Sequence, residues 1–174
     1  MKIIEIEQNC DYQVLDYLEY RKGYEEGWLG ERIAQAYGKT VAEVNELASD
    51  PSHGGKQTLS SYLETMVGFE LEEKGIFGIS MKRGPIRTNL EDGWGRKWDV
   101  TTPPYVKGIG FNEQSAVNSI LRKFKEFPIG DVGILVDVSF LNKKNYLELQ
   151  NDLKNKLSNN QKFLVRQVIV KGIL

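Results

Sequence analysis

The segment Lys97-Trp98-Asp99-Val100-Thr101 is the short stretch of this chain richest in chemistry. In a β-strand, residues at i and i+2 share a face, so Lys97, Asp99 and Thr101 point one way while Trp98 and Val100 point the other. Asp92, in the turn-forming Glu-Asp-Gly-Trp-Gly just upstream, can be brought near Asp99 by a hairpin, and the preceding helical segment offers Glu64, Glu70, Glu72 and Glu73. Two or three carboxylates meeting at a strand end can hold Mg²⁺ or Mn²⁺ through oxygen ligands. Such an ion activates a water and neutralises charge building on a phosphate. The composition permits this chemistry and excludes its rivals. A single cysteine, Cys10, allows no internal disulfide and no Cys-Cys zinc cluster, and a single histidine, His53, excludes schemes that need two imidazoles. HNH-type nucleases, paired-histidine ribonucleases, zincins and zinc deaminases are thereby ruled out. His53 itself lies in Asp-Pro-Ser-His-Gly-Gly, which reads as a solvated loop.

Helical geometry limits which glutamates can act together. Glu64 and Glu72 are eight residues apart, about 12 Å along a helix axis, so one ion cannot take both. Leu63, Met66, Val67 and Leu71 form the buried stripe, with Glu70 at its edge. Asp137, in the apolar run Ile-Leu-Val-Asp-Val-Ser-Phe, must be hydrogen-bonded or lie at an open strand end, because an unpaired buried carboxylate is costly. It belongs either to the outer shell of a site or to the anchoring of a neighbouring loop.

The elements that must position these groups follow from periodicity. Before residue 50 the pattern is helical: Val14, Leu15 and Leu18 recur at helical spacing, and Thr40 with Glu43 makes a capping box ahead of Val41, Val44, Leu47 and Ala48. Residues 48–57 carry Asp-Pro and Gly-Gly and mark a loop, dividing a helical subdomain over residues 1–50 from an α/β domain over 51–174. A helix is expected from Leu59 to Lys74, with Ser61 and Glu64 as a capping box and Gly75 as its C-terminal stop. Strands are expected over 76–83, 87–90 and 95–102, the last two joined as a hairpin. A helix over 113–126 follows, then a strand from Val132 buried on both faces, a helix capped by Asn142, and a last strand in Lys-Phe-Leu-Val-Arg-Gln-Val-Ile-Val. The order α-β-β-β-α-β-α-β implies an α/β fold with a sheet flanked by helices.

Length and charge agree with one globular domain. The chain has 174 residues, 40% hydrophobic and 27% charged, with no apolar run long enough to span a bilayer. Its first residues are too acidic and broken for a signal peptide. The net charge of −1 is a cancellation: residues 1–73 hold 6 Lys/Arg against 15 Asp/Glu, residues 74–125 hold 10 against 4, and residues 126–174 hold 7 against 5. A basic middle segment suggests an anionic partner.

The stretch from Gly54 to Thr101 resembles the C-terminal nuclease domains of contact-dependent growth inhibition toxins and related polymorphic bacterial toxins of the PD-(D/E)XK superfamily. The matching positions are Gly54, Gly55, Glu64, Gly68, Glu72, Asp92, Gly95, Trp98, Asp99 and Val100. The resemblance implies a restriction-endonuclease-like core, α-β-β-β-α-β, preceded here by the helical subdomain. It also implies a metal-dependent endonuclease in which Asp92, Asp99 and Glu64 hold Mg²⁺ or Mn²⁺, with Glu72 and Glu70 behind Glu64 as the helix carboxylate. The substrate would be tRNA first and DNA second, bound along its phosphates by Lys82, Arg83, Arg87, Arg96, Lys107, Arg122, Lys123 and Lys125. The implied setting is the bacterial cytoplasm of producer or target, with delivery as part of a secreted toxin and a cognate immunity protein as partner. One position departs from the pattern: the family's lysine two residues beyond the strand aspartate is Thr101 here. Lys97, on the same strand face, or Lys107, from the following loop, can supply an ammonium instead. The alternative is a catalytically inactive nuclease-fold module that binds nucleic acid or a protein partner.

Overall fold

The computed structural model describes residues 4–5, 13–76, 78, 80–85, 87–127 and 130–174. Its first strand, β1, is the pair Ile4–Glu5. Helical structure begins where Asp16 accepts from the Leu18 N–H and starts α1 (Tyr17–Glu26). The cap sits later than the periodicity suggested, so Leu15 is buried while Val14 and Leu18 stay exposed. Helix α2 (Leu29–Tyr37) follows, then α3 (Val41–Ala48), opened by the expected Thr40/Glu43 capping box. Strands β2 (Ser49–Asp50) and β3 (Lys56–Gln57) pair around a 3₁₀ turn at Pro51–His53. His53 is exposed there and meets Asp50 Oδ2 at 2.8 Å, a surface loop residue as expected.

Helix α4 (Leu59–Lys74) ends on Gly75 as expected, but its capping box is Thr58 with Ser61, which leaves Glu64 unoccupied by capping. The next strands are β4 (Lys82–Arg83), β5 (Leu90–Glu91) and β6 (Lys97–Thr101). Phe77 and Ile79, within the first of the expected strands, lie outside the described residues. Then come α5 (Glu113–Glu126), β7 (Val132–Asp137), α6 (Lys143–Lys156), the short α7 (Asn159–Lys162) and β8 (Val165–Val168). The molecule is an α/β protein: N-terminal helices, then a mixed sheet interleaved with helices. The sheet runs β1-β8-β7-β6-β5-β4; β4, β5 and β6 form an antiparallel meander, and β6, β7, β8 and β1 are parallel.

The pleat sends alternate residues to two cores. On one face Trp98, Val100, Leu135 and Val168 pack with Tyr20, Ile33, Leu47, Met66 and Val67, so the N-terminal helices share one continuous core with α4 and the sheet. On the other, Ile134, Val136 and Val165 pack with Val117 and Ile120 of α5 and Leu149 and Leu153 of α6. Gly133 makes this layering possible beside the site, since a Cβ there would lie 2.3 Å from the Trp98 ring. Strand β7 is buried throughout, as its apolar run predicts. Among the described residues no helix is long and apolar enough to cross a membrane.

Candidate active site

A cleft forms where the sheet opens. Strand β5 pairs with β6 only through Leu90↔Trp98 and Glu91↔Lys97. Upstream of Leu90 the chain turns away at Pro85–Thr88, with the Thr88 N–H donating to Pro85 O. The Asn89 side chain takes the place of the lost strand, its Oδ1 accepting from the Val100 N–H at 2.6 Å. Residues 99–101 therefore lie on a locally open edge, and groups from both faces of the sheet reach one space around it. A polar cleft of about 250 Å³ lies there, lined by Glu64 of α4, Val100 and Thr101 of β6, Thr102, and Ser119 and Lys123 of α5, among others.

Asp99 is 5% exposed. Its Oδ2 accepts from Lys123 Nζ at 2.6 Å. Burial raises the Asp99 carboxyl above its ordinary value even though the Lys123 charge and hydrogen bond pull it down. Glu64 is likewise buried, and its Oε2 accepts from Arg83 Nη1 at 3.0 Å. Burial pushes it up to about 7 against the Arg83 charge, and the charges of Asp50 and Asp99 add to the rise. Arg83 is nearly enclosed: Nε donates to the Leu47 carbonyl at 2.7 Å, and Nη2 is buried with no hydrogen-bond partner among the described residues. Glu64, Thr101 and Lys123 thus line the cleft, Asp99 joins it through Lys123, and each of the two buried carboxylates is matched to one cation.

Asp92 is not part of it. It is 3% exposed at the hairpin tip, and its acceptor capacity is consumed. Oδ1 accepts from the Trp94 and Arg96 N–H groups, and Oδ2 from Arg96 Nε and Trp98 Nε1, all at 2.9–3.0 Å. Trp98 points to the sheet face opposite Asp99. Burial pushes the Asp92 carboxyl upward, but the hydrogen bonds from Trp98, Arg96 and Trp94 outweigh it and leave it below its ordinary value. Asp92 is a structural lock, and its expected place as a metal ligand is corrected on that ground.

Other expected positions also move. Glu72 faces a different recess, bonded to Lys39 Nζ at 3.0 Å and to the Met81 N–H at 2.6 Å. Glu70 accepts from Tyr37 OH at 2.8 Å and serves the core. Lys97 stands opposite Glu91 and does not line the cleft, and Lys107 sits on an exposed loop. Arg83 and Lys123, expected on phosphates, are held inside by Glu64 and Asp99. Lys82 pairs with Glu91 on the surface, while Arg87, Arg122 and Lys125 are exposed. Asp137 ties the loop after β7: Oδ1 accepts from the Ser139 N–H and Oγ–H, and Ser139 Oγ accepts from the Val170 N–H. Asn89, and Lys123 as the partner of Asp99, escape a reading by sequence because both depend on which strand turns away and which helix crosses over it.

For a divalent cation the available donors are the carboxylates of Asp99 and Glu64 and the Thr101 hydroxyl. Among the described residues no three His, Cys, Asp or Glu side chains gather as a ligand set. Mg²⁺ is commonly held by one or two carboxylates, with water and substrate phosphate completing its shell, so an ion in this cleft would draw most of its ligands from water and phosphate. Comparison of the chain with protein-family models, with curated proteins and with solved structures gives no match.

Proposed function

We propose that this protein is a metal-dependent endonuclease that hydrolyses phosphodiester bonds in nucleic acid, with tRNA as first substrate and DNA as second. The observation that carries the reading is the cleft itself: Glu64 of the first helix of the α-β-β-β-α-β unit lines it with Thr101 of the third strand and Lys123, and Lys123 in turn holds the strand acid Asp99 at 2.6 Å. Asp99 and Glu64 would hold Mg²⁺ or Mn²⁺, and the ion when bound would supply Lewis-acid charge and an activated water. Lys123 carries the ammonium that Thr101 lacks. Its flexible stem lets it swing from Asp99 Oδ2 to a non-bridging phosphate oxygen and stabilise the charge that develops there. Arg83 holds Glu64 in place and lowers the cost of ionising it. Glu64 must lose its proton to act as a ligand, so activity should rise with pH through about 7. The resemblance of residues 54–101 to growth-inhibition toxins supports a toxin domain acting in a target bacterium's cytoplasm, restrained by an immunity protein.

A second reading, a non-catalytic module that binds nucleic acid or protein, is favoured by one observation: both carboxylates are already neutralised by a cation. Incubating the purified chain with total tRNA and with plasmid DNA, in Mg²⁺, Mn²⁺ or EDTA, separates the two. Cleavage that EDTA stops and Asp99→Asn abolishes supports the enzyme. Salt-sensitive binding without cleavage under either metal overturns it.

A further inference from the structure

Asp92 spends its buried carboxylate on holding the β5–β6 hairpin tip, and what that tip displays is an indole. Trp94 is 64% exposed, although its backbone N–H is fixed by Asp92 Oδ1. The Arg96 guanidinium lies 4.7 Å from the Trp94 ring centroid and 5.7 Å from that of the buried Trp98. Arg96 is also held by Asp92 through both its backbone N–H and its Nε. An indole and a guanidinium stacked on a pre-formed turn have lost their conformational freedom already, which is the costly part of making a contact surface. Nothing in the core requires Trp94, since its ring faces solvent.

The charge around the tip identifies the occupant. The Arg96 guanidinium, although paired with Asp92, is half exposed beside the ring. A half-exposed guanidinium stacked on an exposed aromatic ring suits a ligand that carries both a π-face and a negative charge. A nucleotide has both. A base inside a duplex has its faces covered by its neighbours, so an unpaired base is the better match.

We propose that the Trp94–Arg96 tip is a stacking platform for an unpaired nucleotide of the nucleic-acid substrate, with Arg96 placed for the adjoining phosphate. This rests on the nucleic-acid reading above but uses none of the residues of the cleft. It gives the molecule two separate contacts with one strand, of which only the cleft is chemical.

The test uses the full chain carrying Asp99→Asn, so that bound RNA stays intact. Anisotropy of a labelled single-stranded RNA is compared with that of the same sequence as a perfect duplex, with and without Trp94→Ala. The expected result is about tenfold or greater weakening for the single strand, little change for the duplex, and an unchanged melting temperature. Trp94→Phe should recover most of the loss, because a phenyl ring still stacks. Equal affinity of the parent and Trp94→Ala for single strands overturns the platform, as does an equal loss for single strand and duplex. So does a Trp94→Ala effect seen only on a protein partner. RNA binding that needs Trp94, in a chain with native Asp99 that cuts nothing under any metal, upholds the platform and removes the nuclease reading. Metal-dependent cutting with no role for Trp94 does the reverse.

Discussion

Asp92 and Asp99 are seven residues apart on one hairpin, both almost fully buried, and the structure treats them in opposite ways. Asp92 accepts four hydrogen bonds from its own turn and is held below its ordinary pKa. Asp99 accepts from Lys123, which lines the cleft, and is pushed above it. A carboxylate whose lone pairs are consumed by rigid donors has nothing left for an ion or a phosphate. One whose main partner is a flexible ammonium keeps its chemistry in reserve. Acceptor saturation, rather than burial or sequence motif, separates the structural acid from the candidate catalytic one.

The largest effects should therefore fall on different observables. Asp99→Asn should lower cleavage by about a thousandfold or more, roughly 4 kcal/mol of transition-state stabilisation, with little change in the urea unfolding midpoint. Asp92→Ala should cost about 3 kcal/mol of stability, because it strands the buried Trp98 Nε1–H and two backbone N–H groups, while the folded fraction keeps its turnover. Steady-state rates and equilibrium unfolding measured on both variants decide the matter. A stable, inactive Asp92→Ala would mean that the two acids work together after all.

The outline of the fold was legible in the sequence because it rests on local rules. Thr40 with Glu43, Gly75 after Lys74, Asn142 before α6 and the apolar run of β7 each announce an element boundary through capping, αL geometry or burial. Glu64 and Asp99 were legible as candidates; Glu64 lines the cleft, and Asp99 reaches it through Lys123. Asp92 was misplaced because a turn aspartate and a ligand aspartate read alike in Glu-Asp-Gly-Trp-Gly. Its full set of four donors is complete only when the indole of Trp98 folds back under the tip. Lys123 was counted among surface cations because helical spacing places it beside Phe124 without saying which strand lies beneath. The answer depends on the parallel crossover from β6 through α5 to β7.

That crossover can be tested through its lysine. Lys123→Met should leave Asp99 buried without its counter-charge and reduce cleavage by about a hundredfold, near 2.7 kcal/mol. Adding Thr101→Lys to Lys123→Met should restore a substantial part of the rate, since residue 101 shares the Asp99 face and also lines the cleft. A single variant with full activity would show that the ammonium is only a structural partner. Rescue would also sharpen the contrast with Asp92, where no added cation can help a group that is already saturated.

Asp137 extends the comparison to a third buried acid and predicts the smallest effect. It is 1% exposed, its Oδ1 is bonded to Ser139, and its Oδ2 has no hydrogen-bond partner among the described residues. Burial pushes its pKa up to about 6 despite those bonds, with the charge of Glu70 adding to the rise. A carboxyl whose pKa rises on folding binds its proton more tightly in the native state than in the unfolded one. Its contribution to stability is therefore complete below the unfolded value near 4 and is lost as pH climbs through about 6. Asp137→Asn removes that loss but buries an amide N–H₂ where Oδ2 stood, which returns part of the cost. The variant should unfold about 1–2 kcal/mol later than the parent at pH 8, and at or below the parent at pH 4.5, when both are compared in urea. If the difference between the two chains does not change with pH, Asp137 is ionised in the native state throughout, and its free oxygen has a partner that lowers its pKa as the hairpin donors lower that of Asp92.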